Sequence, residues 1–365
     1  MSQLFSPIAL KSLALPNRIV VPPMCQYSAK EGQATDWYTI HYGTLALSRA
    51  GLLVMEATAV EPRGRISPAD LGLWDDTTAE ALSRTVQAVK SNAAANLFIQ
   101  LAHAGRKAST SKPWEGDSPL NLENGGWETV APSAIPYANY FPIPKELNRS
   151  DIESIITAFA SAAQRANGIG FDGIEIHSAH GYLLHEFLSP LSNRRNDVYG
   201  GSLENRMRLT LEVFQAVRNV FPPNKPVGVR ISGTDWAEGG WNVDESVILS
   251  QELEKRECDY IHISSGGLTE AQKIVLGPNY QVPLAAKIKQ GLENMPVITV
   301  GLITEPEQAE AILLTGQADM IALGRAMLFN PRWPWYAAAK LGDHLTFPSQ
   351  YLRCEPRWLK KVFEK

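Results

Sequence analysis

Residues 173–182 read Gly-Ile-Glu-Ile-His-Ser-Ala-His-Gly-Tyr, and the change of character inside that stretch decides the fold. A short β-rich run, Gly173–His177, gives way to a polar loop. A helical pattern precedes it at Ser150–Asn167 and another follows at Asn205–Val220. The same unit of run, loop and helix recurs along the chain. The other runs are Arg18–Pro22, Leu52–Ala57, Asn96–Leu101, Val227–Ile231, Tyr260–Ser264, Val297–Val300 and Met320–Leu323, which makes eight in all. Short, near-continuous apolar runs suit strands buried on both faces. Further helical patterns lie at Thr77–Asn92, Val243–Lys255, Val282–Gln290 and Pro306–Thr315. Ser150 with Glu153 three residues on predicts a helix start, and Thr304-Glu305-Pro306 predicts another.

Strands alternating with helices imply parallel pairing through right-handed crossovers. Eight such units predict an α/β fold, a closed (β/α)8 TIM barrel. The alternative is an open doubly wound sheet, but no Gly-x-Gly-x-x-Gly follows an early strand. Residues 1–16 predict a hairpin capping one barrel end. Residues 105–148 are rich in Gly, Pro, Asn, Trp and Tyr and form a long excursion after the third strand. Loops of that length usually serve a site, as a lid or a pocket wall. No linker interrupts the chain, so 1–365 is expected to be a single domain, with 343–365 as its C-terminal segment.

Composition narrows the class. With 44% hydrophobic residues and a formal charge of −4, the chain is globular rather than disordered. It carries no long basic stripe, which argues against a nucleic-acid partner. No apolar run approaches the roughly 20 residues that span a bilayer. Met1–Leu10 lacks a basic region followed by an apolar one, so no secretory signal is expected. The three cysteines, Cys25, Cys258 and Cys354, are too far apart for a disulfide framework. A cytoplasmic location is the expectation.

In a barrel of this type the site lies at the C-terminal strand ends. There the sequence places Pro22-Pro23-Met24-Cys25-Gln26-Tyr27, Glu56-Ala57-Thr58, a segment from Gln100 to Lys107, and His177 to Tyr182. Arg230, Ser264-Ser265-Gly266-Gly267, Gly301 and Gly324-Arg325 complete the set. Three readings fit His177 and His180: metal ligands, buried structural histidines, or paired N–H donors to one oxygen. Metal binding needs further ligands that the sequence does not supply, so no metal is expected. Tyr182 could deliver a proton from its hydroxyl. Gly324-Arg325, opening a short helix after the last strand, suits phosphate, and Gly301 lets backbone approach the same group. Arg230 lies in a strand otherwise built of Val, Gly and Ile, so it must be paired or face a ligand. With Gln100 it suits a heteroaromatic ring with an anionic or imide edge. Cys25 is either a thiol at the barrel mouth or a small buried apolar residue.

The blocks Asn17-Arg18-Ile19-Val20, Pro22–Cys25, Gln100–Arg106, His177–Leu183, Leu188–Arg194 with Asp197 and Tyr199–Ser202, Asn205-Arg206 and Gly324-Arg325 resemble the Old Yellow Enzyme family, in order, over nearly the whole chain. Cys25 and His180 point to its thermophilic-like or xenobiotic-reductase branch. The resemblance implies a barrel holding tightly but non-covalently bound FMN, with NADPH as reductant. It implies reduction of the C=C bond of α,β-unsaturated carbonyl compounds and of nitro compounds, by hydride transfer from flavin N5. It places Pro22, Pro23, Met24 and Cys25 along the flavin, with Ala57 and Gln100 at the ring's polar edge. Arg230 falls on the N1/C2=O side, and Gly301, Gly324 and Arg325 on the phosphate. His177 and His180 would bind the acceptor oxygen, Tyr182 would donate the proton, and Tyr27 would contact substrate. Arg357 or Trp358 would reach an active site, in its own or a neighbouring subunit, within a homodimer or homotetramer. Two other classes remain: a metal-dependent lyase or hydrolase using the histidines, and a non-catalytic flavin-binding scaffold. Relatives with an iron–sulfur cluster are disfavoured by the scattered cysteines.

Overall fold

The structure is a computed structural model that describes residues 1–355. Eight parallel strands close into a barrel. They are β1 (Ile19–Val21), β2 (Leu52–Ala59), β3 (Leu97–Ala102), β4 (Gly173–Ser178), β5 (Val227–Ser232), β6 (Ile261–Ser264), β7 (Val297–Val300) and β8 (Met320–Ala322). Each pairs with the next, and β8 returns to β1 through Ile321–Ile19 and Ala322–Val20. Every one of the eight sequence runs is a barrel strand. An antiparallel hairpin, Ile8–Leu10 with Leu13–Leu15, precedes the barrel, as expected of residues 1–16.

Alternation along each strand gives the barrel two different faces. Ile99 and Leu101, Ile174 and Ile176, Val229 and Ile231, and Ile261 and Ile263 join the outer core. Helix Arg149–Gly168 supplies Ile152, Ile155, Phe159 and Ala162 to that same core. The opposite face points inward. Its floor is Val20, Leu52, Val54, Phe98, Tyr260, Ile298 and Met320, closed from below by Leu10 and Leu15 of the hairpin. Two glycines make room for the largest rings. A Cβ on Gly173 would meet Phe98 ring carbons at 2.5–2.6 Å, and one on Gly228 would meet Tyr260 at 2.3 Å.

Helix starts differ in detail from the sequence reading. The helix expected from Ser150 is capped by Asn148, whose side chain accepts from Asp151 N–H while Asp151 reaches back. The later helix is capped by Glu305 rather than Thr304, with Pro306 in its first turn. A helix at Asp36–Ala46 was not anticipated. The excursion after β3 holds three single-turn helices and a two-residue strand pair, Val130–Ala131 with Lys145–Glu146. Among the described residues, no helix is long and apolar enough to cross a membrane.

Gly228→Ala should force the Tyr260 ring off its seat and destabilise the fold by about 1–3 kcal/mol, the usual range for overpacking. Urea unfolding checks it, with Gly43→Ala, where a Cβ meets nothing within 4 Å, as the control expected to unfold at or above the wild-type midpoint.

Candidate active site

Above the apolar floor the inward positions turn polar. Gln100, Glu175, Arg230 and His262 stand on four adjacent strands, and all four are buried. Backbone register sets Gln100 beside Glu175, and Arg230 beside His262. Gln100 Nε2 donates to Glu175 Oε1 at 2.7 Å, and His262 Nδ1 donates to Glu175 Oε2 at 2.9 Å. Burial alone would raise the Glu175 carboxyl, but His262, Arg230 and Gln100 outweigh it and hold it below the usual range. Burial, then Arg230, keep His262 neutral. The Arg230 Nε finds no protein partner. A buried cation left in that state is set to meet a ligand.

Arg230 opens into a cavity of about 200 Å³ whose wall also carries Tyr280, Gln281, Gly301, Gly324 and Arg325. The two glycines and the arginine expected at a phosphate thus share one cavity with the expected ring-edge arginine. Gly301 has φ +131°, and a Cβ there would sit 2.8 Å from Gln281 Nε2. Gly324 lies against Met24 and Pro22, where a Cβ would be 3.6 Å from Met24 Sδ. The donor set fits an anionic cofactor with a planar polar edge: two guanidinium groups at one cavity, and a buried amide whose Nε2 is already engaged by Glu175.

The reactive side chains gather at the mouth. The His177 ring lies 5.2 Å from His180 and 5.0 Å from Tyr182, centroid to centroid. Cys25, Tyr27, Trp127 and Tyr182 pack around Ile66, Ala104 and Ala108. Ala57 and Tyr182 line a small void of about 10 Å³ with Asp70 and Ala102. A register shift between Met55 and Ala57 creates this floor. It turns Glu56 away to take hydrogen bonds from Tyr42 Oη, Tyr38 Oη and the Gln26 N–H, and lets Ala57 and Ala59 face the void.

Three contacts fix the His-x-x-His-Gly-Tyr loop. Gly181 and Gly267 approach so closely that a Cβ on Gly181 would meet Gly267 O at 2.2 Å. Lys107 Nζ donates to His180 O and to Gly267 O, each at 2.9 Å, and sits over the Tyr182 ring. Burial lowers this lysine to about 8. From below, His185 Nδ1 accepts from Gly181 N–H, and its Nε2 lies 2.9 Å from Asp235.

Burial, then Arg230, push both His177 and His180 well below the ordinary imidazole value, so both are neutral. His177 Nδ1 accepts from Ala179 N–H, so Nε2 carries the proton. His180 Nε2 lies 2.6 Å from Ser264 Oγ, so only Nδ1 is left to act. A donor pair therefore requires Ser264 to donate to His180 Nε2. Ser264 Oγ can also donate to Gln281 Oε1, at 3.3 Å, but Ser265 already serves that oxygen at 2.6 Å, so the one Ser264 proton goes to the closer His180 Nε2. Burial raises the Tyr182 hydroxyl well above its ordinary value, so it holds its proton. Burial, then Glu56 and Asp70, do the same to the Cys25 thiol, which is no activated nucleophile.

Of the expected residues, Trp358 and Arg357 lie outside the described set. Glu175, His262 and Gln281 were not singled out in the sequence, and Lys107 and Ser264, placed at the strand ends, were given no role there. Nitrogen-15 spectra of histidine-labelled protein should show His177 protonated at Nε2 and His180 at Nδ1. Ser264→Ala should scramble the His180 tautomer and leave that of His177 in place.

A family model described as NADH:flavin oxidoreductase / NADH oxidase matches residues 3–344. A NADPH dehydrogenase of Geobacillus thermodenitrificans (strain NG80-2) is 46% identical over 352 residues, 96% of this chain and 98% of that protein. Morphinone reductase in complex with tetrahydroNAD superposes with a TM-score of 0.77 at 29% identity, over 99% of this chain and 94% of that one. A 2-naphthoyl-CoA reductase complex gives a TM-score of 0.84 at 23% identity, over 93% of this chain. The chain spans about half of that larger protein, 52%, and the likeness is one of fold.

Proposed function

Because the chain belongs to the NADH:flavin oxidoreductase / NADH oxidase family, that of Old Yellow Enzyme, we propose that this oxidoreductase is an ene reductase. It uses FMN and takes its electrons from NADPH. Its substrates are small electron-poor alkenes conjugated to a carbonyl, and nitro compounds. The whole chain acts as one FMN-binding unit, and two or four copies assemble. The observation that carries the reading is the meeting of the His177, His180 and Tyr182 rings in a barrel that also buries Arg230 with its Nε unpaired.

Bound FMN supplies the two-electron chemistry between NADPH and acceptor. Arg325 holds its phosphate, with Gly301 and Gly324 giving room for close backbone approach. Arg230 faces the ring edge where negative charge gathers, and the Gln100 amide meets the same edge. Pro22, Pro23, Met24 and Ala57 wall the ring. Cys25, a neutral thiol without a base beside it, tunes the ring rather than attacking substrate. Tyr27 bounds the substrate.

The acceptor oxygen sits between His177 Nε2–H and His180 Nδ1–H. Charge growing on that oxygen meets two fixed donors in a dry pocket, and removing one such donor typically costs ~10²–10³ in rate. Tyr182 keeps its proton until carbon needs it. The fixed loop, pinned by Lys107 and His185, holds donors and acid at constant spacing, so orientation contributes to the rate.

Two tests separate these roles. Arg325→Ala should lower flavin occupancy through loss of a charge-assisted contact. The pigment released from the wild type should chromatograph as FMN; stoichiometric FAD would contradict the reading. Tyr182→Phe should slow alkene reduction by ~10²–10⁴, the worth of general acid catalysis, and slow nitro reduction less. Flavin reduction by NADPH should stay near wild type in that variant. Stopped-flow measurement of the two half-reactions reads both; loss of NADPH oxidation with alkene reduction spared would overturn the assignment.

A further inference from the structure

Glu175 is fully buried at the centre of the barrel, an expensive place for a carboxylate. Three neighbours justify its hydrogen bonds: Gln100 at 2.7 Å, His262 at 2.9 Å and Tyr260 at 3.5 Å. A glutamine there could accept from the same donors, so hydrogen bonding alone does not call for a charge. What calls for one is Arg230, a step further along the neighbouring strand: His177, two residues past Glu175, pairs with Arg230. Glu175 is the leading attractive charge on that guanidinium. The floor of Phe98 and Tyr260 below keeps the layer out of water, so the interaction is only weakly screened.

A carboxylate can only accept, so the Gln100 amide must turn Nε2 toward Glu175 and Oε1 away from it. The same carboxylate thus fixes one ligand-facing group and partly offsets another.

We propose that Glu175 is a positioning residue for the flavin: it orients the Gln100 amide and moderates the positive field of Arg230, and so sets how easily the bound ring is reduced. The proposal rests on the FMN reading above. Two-electron reduction with uptake of one proton leaves one more negative charge on the ring. Arg230 stabilises that charge, and Glu175 opposes it. NADPH, or the mediator dye in a titration, supplies the electrons.

The test is a spectroelectrochemical titration of the holoenzyme. Glu175→Gln should raise the two-electron midpoint potential, favouring reduction at least tenfold, which is about 30 mV for this couple. Glu175→Asp, which keeps the charge, should stay within about threefold of wild type on the same scale. An unshifted Glu175→Gln with wild-type FMN content overturns the proposal, as does an equal shift in both variants. If Glu175→Gln gives no holoprotein, Glu175→Asn, isosteric with Glu175→Asp but uncharged, should favour reduction at least tenfold over Glu175→Asp. An unchanged constant there overturns it too. Wild-type protein lacking FMN would instead overturn the functional reading itself, so the two failures are told apart.

Discussion

Phe98 and Tyr260 can seal the barrel floor only because Gly173 and Gly228 leave their rings somewhere to lie. Everything above depends on that seal. With water excluded from below, the layer of Gln100, Glu175, Arg230 and His262 sits in a medium where each unmade hydrogen bond or unpaired charge is costly. The layer answers by satisfying Glu175 fully and leaving the Arg230 Nε without a partner. The imbalance points a cation at the cavity shared with Arg325. A cofactor bearing negative charge is what such a site is prepared to hold.

The mouth is built by departures from regular geometry. One register shift in β2 turns Glu56 away and lets Ala57 and Ala59 line a small void beside Asp70 and Tyr182. His180 and Gly181 adopt left-handed backbone, φ +59° and +73°, to bring the loop after β4 against the loop after β6. Lys107, from the start of the excursion after β3, ties both loops through their carbonyls. Three strand ends are thereby locked together, and the neutral imidazoles and the protonated phenol inherit fixed positions.

Much of this was legible in the sequence. All eight strands announced themselves as short β-rich runs, and Gly301, Gly324 and Arg325, expected at a phosphate, line one cavity with Arg230. The misses have physical causes. Helix Asp36–Ala46 reads Trp-Tyr-Thr-Ile-His-Tyr through its first half, residues that favour strands, and forms because Tyr38 and Tyr42 are buried against Glu56. Asn148 outcompetes Ser150 as a cap because Asp151, three residues on, can reach back to it. Glu175 lay inside a quoted run but was read as part of a strand apolar on both faces; strict alternation with Gly173 and His177 would have turned it inward. The His180–Ser264 contact joins residues 84 apart, and no local pattern encodes it.

This barrel is arranged around a flavin that NADPH reduces. The most direct measurement is the absorption spectrum of the purified protein, taken without oxygen before and after adding an equal amount of NADPH. A flavin band that the addition bleaches is the expected result. A colourless protein, or a yellow one that NADPH leaves unchanged, would contradict it.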